Sequence, residues 1–200
     1  MLISGGRGVG KTVFTKQILR NKDKMIENPP DRIIWCYGKH QEALFEELLT
    51  INPNIEYNEG IPENLNNMFD KNIRSCLILD DLMDDSGQST AVSQLFTRGR
   101  HDNMSVIYLT QNLFHSKQRS ISLNSDYMVI FKNVRDKSQF TNLAKQFMPN
   151  NVSFLKWVYE DATKQPHSYL FLDMKPQTDD KLRIRANILP EEDPKYVYIK

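Results

Sequence analysis

Gly5-Gly6-Arg7-Gly8-Val9-Gly10-Lys11-Thr12 follows the short run Leu2-Ile3-Ser4 and precedes a segment whose apolar residues Val13, Phe14, Ile18 and Leu19 fall at helical spacing. Few folds accommodate such a strand, glycine loop and helix in direct succession. Glycine tolerates positive φ, so the loop backbone is free to turn several N–H groups toward one point, and the helix behind it adds the unsatisfied donors of its first turn. Gly5, Gly10, Lys11 and Thr12 meet the pattern G-x-x-x-x-G-K-[ST], for which a chance match in a chain this long is on the order of one in a hundred. The chemistry that suits this loop is the binding of a nucleotide's phosphates. Gly5, Gly6, Arg7, Gly8, Val9, Gly10 and Val13 are expected to line the site. Lys11 is expected to bridge the β- and γ-phosphates of ATP, and Thr12 to place its hydroxyl on Mg²⁺.

Downstream, apolar runs alternate with helical patterns. Arg32–Tyr37, Ser75–Leu79, Ser105–Thr110, Tyr127–Phe131 and Ser168–Leu172 read as buried strands, and Ile55–Tyr57 as a minor one. Helices are expected over Lys11–Asn21, Gln41–Leu49, Pro62–Phe69, Ser89–Thr97, Lys137–Phe147 and Val152–Asp161. This alternation predicts an α/β fold of the RecA-like P-loop type, a mostly parallel sheet with helices on both faces. Residues 1–174 are expected to form the nucleotide-binding domain, and residues 175–200, broken by Pro176, Pro190 and Pro194, an irregular C-terminal extension. Only three strand residues precede the glycine loop, where a buried strand usually has about five or six. The first strand is therefore expected to be cut short, with Met1 an internal methionine of a longer chain.

Composition excludes several classes. At 200 residues, 40% hydrophobic and 26% charged, the chain has the balance of one globular domain. No apolar run approaches the roughly 20 residues of a membrane span, and the start lacks a signal peptide's basic and apolar regions. A formal charge of +1 leaves any polyanion surface to a local patch. Cys36 and Cys76 lie in apolar runs without metal-ligand spacing and read as buried thiols of a reducing compartment.

Further residues extend the loop's chemistry. Cys76-Leu77-Ile78-Leu79-Asp80-Asp81 is an apolar strand ending in two carboxylates, which repel each other unless a cation shares them. Asp80 is the candidate Mg²⁺ ligand, and Asp81 the group that orients or deprotonates an attacking water. Asp84 and Asp85 read as a solvated loop. Gln111, ending the run Ser105–Thr110, is an uncharged candidate sensor of the γ-phosphate. Arg98 and Arg100, in Arg98-Gly99-Arg100-His101, are each suited to neutralise transition-state charge from a neighbouring subunit, or to contact a nucleic-acid backbone or solvent. Lys181, Arg183 and Arg185 alternate with Leu182 and Ile184. An extended segment would set these cations on one face, as a solvated edge or a phosphate-backbone contact. The loop His115-Ser116-Lys117-Gln118-Arg119 is another candidate DNA contact.

Neighbouring enzyme classes fit less well. Asn21-Lys22-Asp23-Lys24 lacks the fourth residue of a guanine-reading Asn-Lys-x-Asp element, these residues contain no Leu-Ser-Gly-Gly-Gln element, and a two-lobed helicase would need a second domain of similar size. A P-loop small-molecule kinase remains open, as does a non-motor nucleotide-binding module from an endogenous viral element.

In their order, the glycine loop, Leu77-Ile78-Leu79-Asp80-Asp81, Thr97-Arg98-Gly99-Arg100-His101 and Ile107-Tyr108-Leu109-Thr110-Gln111-Asn112 resemble the poxvirus-type genome-packaging ATPases of the FtsK–HerA superfamily, over roughly Leu2–Leu172. The resemblance implies Lys11 and Thr12 as the Walker A pair, Asp80 and Asp81 as the Walker B pair and Gln111 as the strand-end sensor. It also implies ATP and Mg²⁺ as cofactors and a homo-oligomeric ring driving double-stranded DNA into a capsid, with a capsid or portal component as partner. The corresponding location is the virion or the host cytoplasm or nucleus. One departure is Asp81, where that superfamily often carries the longer Glu.

Overall fold

The computed structural model describes residues 1–62, 70, 72–80, 82, 92–96, 103–113 and 119–200, the side chains of residues 119 and 120 excepted. Among the described residues nine strands form one sheet: β1 (Leu2–Ser4), β2 (Arg32–Tyr37), β3 (Glu56–Glu59), β4 (Ser75–Asp80), β5 (Met104–Thr110), β6 (Tyr127–Phe131), β7 (Tyr169–Asp173), β8 (Ile184–Ala186) and β9 (Tyr196–Val197). Their spatial order is β3-β2-β4-β5-β1-β6-β7-β8-β9. Neighbours from β3 through β6 pair in parallel, while β7, β8 and β9 join antiparallel. The mostly parallel α/β architecture expected from the sequence is the one observed.

Continuous apolar runs mark strands covered on both sides, and the burial of this sheet follows that rule. Ile3, Ile33, Trp35, Ile78 and Leu109 pack on one side, with Phe14, Ile18 and Leu19 of α1 (Lys11–Arg20) and Leu44, Phe45 and Leu48 of α3 (Glu42–Ile51). Their chain neighbours Leu2, Ile34, Leu77, Leu79 and Tyr108 face the other side. They meet Val92 and Leu95 of a helical stretch at residues 92–96, Ile121 of α4 (Arg119–Leu123), Phe140 and Leu143 of α5 (Lys137–Phe147), and Leu155 and Val158 of α6 (Val152–Ala162). Cys36 and Cys76 are both buried free thiols, as their apolar settings predict, and burial pushes each up to about 12.

Several expectations need correction. Past Asn21 the chain makes a further short helix, α2 (Lys22–Met25), for which no apolar periodicity gave warning. The stretch from Gln111 to Asn124, where neither a helix nor a strand is expected from the sequence, contains α4, whose Ile121 is buried and whose turn end is closed by Ser125 donating to the Ile121 carbonyl at 2.8 Å. The tail beyond Lys175 is not wholly irregular: β8 and β9 extend the sheet, and Ile184 and Ala186 are buried in it.

The alternating cations of that tail do not line one face. Asp180–Leu182 is a 3-10 turn, not a strand, which breaks the period-two spacing. Arg183 pairs with Asp180 and donates to the carbonyls of Asp173 and Lys175, whereas Arg185 bonds the buried Asp173 carboxylate at 3.2 Å and lies over the Phe171 ring. Of the three, Lys181 is exposed, and the two arginines hold β7 to the tail. The helix expected over 89–97 is present where it is described, at residues 92–96, whereas residues 63–69 of the helix expected over 62–69 lie outside the described residues, as do Asp84, Asp85, His101 and most of the His115–Arg119 loop.

Candidate active site

β1 ends at Ser4, opposite Thr110 of β5, so the glycine loop and Gln111 leave the sheet side by side. The Gly5 N–H donates to the Thr110 carbonyl at 3.2 Å, tying the loop's first residue to the strand that carries Gln111. Asp80 ends β4 on the far side of β5, opposite Leu109. Two strand spacings therefore separate β1 from β4, about 10 Å.

The loop's own geometry explains its glycines. Gly8 and Gly10 have φ of 77° and 109°, conformations that side chains resist. Gly5 is needed for space: a Cβ there would stand 2.6 Å from the Phe131 Cβ and 2.8 Å from a Val9 methyl. Gly10 also caps α1, with its carbonyl accepting the first helical bond from Phe14 N–H at 2.8 Å. The helix carries no acidic residue in its first turn, which leaves its N-terminal field available to an anion.

Lys11 curls back over the loop, its Nζ donating to the Gly5 carbonyl at 2.8 Å and the Gly6 carbonyl at 2.9 Å. Thr12 is partly exposed on the first turn of α1, while Thr15 behind it is buried and bonds the Lys11 carbonyl. Val13 is exposed on the same turn, and Arg7 and Gly8 are exposed at the loop crest. The loop, Lys11, Thr12 and the Asp80 strand end thus fit a nucleotide carrying Mg²⁺. Among the described residues no three His, Cys, Asp or Glu cluster to hold a metal. Asp81, Arg98 and Arg100 lie outside the described residues.

Aromatic contacts that the sequence did not foretell brace this site. Phe14 of α1 meets Tyr169 of β7 and Phe131 of β6 edge-on, with centroids 4.6 Å and 6.1 Å apart, and Phe131 lies 5.6 Å from Tyr169. The Tyr159 hydroxyl of α6 donates to the Phe131 carbonyl at 3.2 Å and accepts from Asn133 N–H at 2.9 Å, fixing the chain where it leaves β6. His167, just before β7, has its Nδ1 at 3.2 Å from the Val9 carbonyl. The aromatic ends of the runs at Phe131 and Tyr169 were visible in the sequence, but nothing marked a lone histidine after a proline.

A family model described as Poxvirus A32 protein matches residues 30–157, more than half of the chain. The chain belongs to this family. The match covers Asp80, Asp81, Arg98, Arg100 and Gln111 and begins beyond the glycine loop. A relative described as DNA packaging protein OPG160, of Monkeypox virus, is 29% identical over 129 residues, which are 58% of this chain and 42% of the relative. The chain thus corresponds to less than half the length of that relative. Among solved structures, the cytoplasmic domain of EssC superposes with a TM-score of 0.53 at 13% identity, over 99% of this chain and 39% of the other, a likeness of fold alone. The family expected from the order of the motifs is the one found.

Proposed function

We propose that this chain is the ATP-hydrolysing part of a motor that translocates double-stranded DNA, packaging a viral genome. One observation carries the reading: the glycine loop, Gln111 and the Asp80 strand end emerge side by side from the carboxyl ends of three adjacent parallel strands. Similarity to a viral protein described as a DNA packaging protein supports the choice of DNA as the cargo.

In this reading Lys11 exchanges its two loop carbonyls for the β- and γ-phosphate oxygens, and the loop N–H groups hold the β-phosphate. Thr12 and Asp80 would hold Mg²⁺, which when bound neutralises charge on the phosphates. Gln111 orients a water in line with the γ-phosphorus. Asp81 accepts that water's proton as its oxygen bonds to phosphorus and the bond to the ADP oxygen breaks, releasing ADP and phosphate. Arg98 or Arg100 of a neighbouring subunit neutralises the charge that spreads over the transferred group. Such a motor is a homo-oligomeric ring that works with a capsid or portal component, in the virion or in the host cytoplasm or nucleus.

The test is the rate of ATP hydrolysis with and without duplex DNA. DNA stimulation that disappears in Lys11→Ala and in Asp81→Asn supports the motor. Hydrolysis indifferent to DNA, with phosphate passed to a small acceptor, points to a kinase instead; nucleotide binding without turnover points to a non-motor module.

A further inference from the structure

His167 stands in a backbone conformation uncommon for any residue but glycine, at a place where its ring reaches the glycine loop. Ser168 N–H donates to the Gln165 carbonyl at 3.2 Å and the Ser168 hydroxyl to the same oxygen at 2.7 Å, closing a turn with Pro166 and His167 at its centre. His167 has φ of 63°. Proline followed by positive φ is the pattern of a type II turn, whose third residue is ordinarily Gly or Asn. A histidine there carries local strain, and strain of this kind concentrates where a side chain has work to do.

The ring's surroundings say what that work is. Its Nδ1 is 3.2 Å from the Val9 carbonyl, and a Cβ placed on Gly10 would come within 3.4 Å of that nitrogen and 3.5 Å of Phe131 Cε1. A carbonyl only accepts, so the contact sets the tautomer with the proton on Nδ1. In a trans peptide the carbonyl oxygen and the following N–H point to opposite sides. By holding the Val9 oxygen, His167 fixes the direction of the Gly10 N–H, one of the donors available to a phosphate. Tyr169, two residues on, belongs to the aromatic group under the loop, so the turn that presents His167 is anchored to the core.

We propose that His167 is a positioning residue of the nucleotide loop, orienting the Val9–Gly10 peptide for phosphate binding. The inference rests on the nucleotide-binding reading of the loop. Two substitutions separate donor from backbone: His167→Gly keeps the positive φ and removes the ring, whereas His167→Asn tolerates positive φ and restores an N–H donor at the same distance from the main chain.

The experiment measures the affinity of the whole chain for ATP with Mg²⁺ and for inorganic tripolyphosphate, together with Tm. Loss of one neutral hydrogen bond predicts that His167→Gly weakens both ligands about three- to tenfold. Tm should stay within a few degrees of the parent, and His167→Asn should bind both ligands within about twofold of it. Parent-like binding by His167→Gly overturns the proposal, as does an Asn variant as weak as Gly. Weaker ATP binding with unchanged tripolyphosphate binding also overturns it, because the ring would then serve the nucleoside. Lys11→Ala is the control for the underlying reading: if it binds ATP like the parent, or the parent binds none, the nucleotide site itself is wrong and this proposal falls with it.

Discussion

Gly5 and Gly8 occupy the same loop for different physical reasons, and the difference is measurable. A methyl at Gly5 meets the Phe131 Cβ at 2.6 Å, an atom fixed to the backbone of β6 that has no room to yield. Gly5→Ala is expected to lower stability by about 1–3 kcal/mol in urea unfolding and to abolish nucleotide binding. At Gly8 nothing lies within 4 Å, so alanine there meets only the penalty of φ at 77°. Its cost is expected at about 1–2 kcal/mol, with binding weakened but detectable. Equal effects of the two substitutions on both readouts would contradict this division. The motif pattern specifies Gly5 and Gly10 without saying which glycine serves conformation and which serves close approach; that distinction needs the position of β6.

Elements are held to one another by a few polar bonds within apolar surroundings. Tyr169, buried on β7, donates its hydroxyl to Glu192 and accepts the Ile188 N–H at 3.0 Å, and Glu192 also accepts the Leu189 N–H at 2.9 Å. Burial, followed by the Glu192 hydrogen bond, pushes the phenol far above its usual range, so it remains a donor at any ordinary pH. Tyr169→Phe keeps the ring against Phe14 and removes only these bonds. It is expected to cost about 1–3 kcal/mol and to speed hydrogen exchange in residues 187–197, with β1 to β6 little changed. Uniform loosening of the whole sheet would show that the tail is not held separately through this hydroxyl. The expectation of an irregular tail erred here because three prolines and short apolar runs hide strands of two and three residues, which form only against an existing edge at β7.

Across the whole molecule the two cysteines report on the folded state together. With each thiol pushed up to about 12 from an ordinary value near 9, both states hold their protons below pH 9. Between 9 and 12 the unfolded chain has lost them while the folded chain retains them, so stability falls as pH rises through that window. The slope should reach up to about 1.4 kcal/mol per pH unit for each thiol, part of which disappears in the Cys36→Ala, Cys76→Ala double variant. At pH 8 iodoacetamide is expected to modify both thiols in urea and neither in the native protein. Assembly forms the last level. If Arg98 or Arg100 acts across subunits, mixing its alanine variant with Lys11→Ala chains restores part of the ATPase activity through hybrid interfaces; assembled mixtures that stay inactive exclude action in trans.

Local chemistry was enough to read much of this protein from its sequence. Apolar runs buried on both sides have no alternation to confuse, so Leu2–Ser4, Arg32–Tyr37 and Tyr127–Phe131 were legible to the residue. The glycine loop was legible too, because the backbone turns it needs are written in residue type. Sequence also identified the family, through motif order. Tertiary structure alone decided what depends on residues far apart in the chain. It placed β5 between β1 and β4, so that Gln111 emerges between the loop and Asp80, and reversed β7 against β6. It tied Arg183 and Arg185 into the sheet edge, and it brought His167 to Val9 across 158 positions. Periodicity records which face of an element is apolar, whereas pairing partners are chosen by the packing of the assembled sheet.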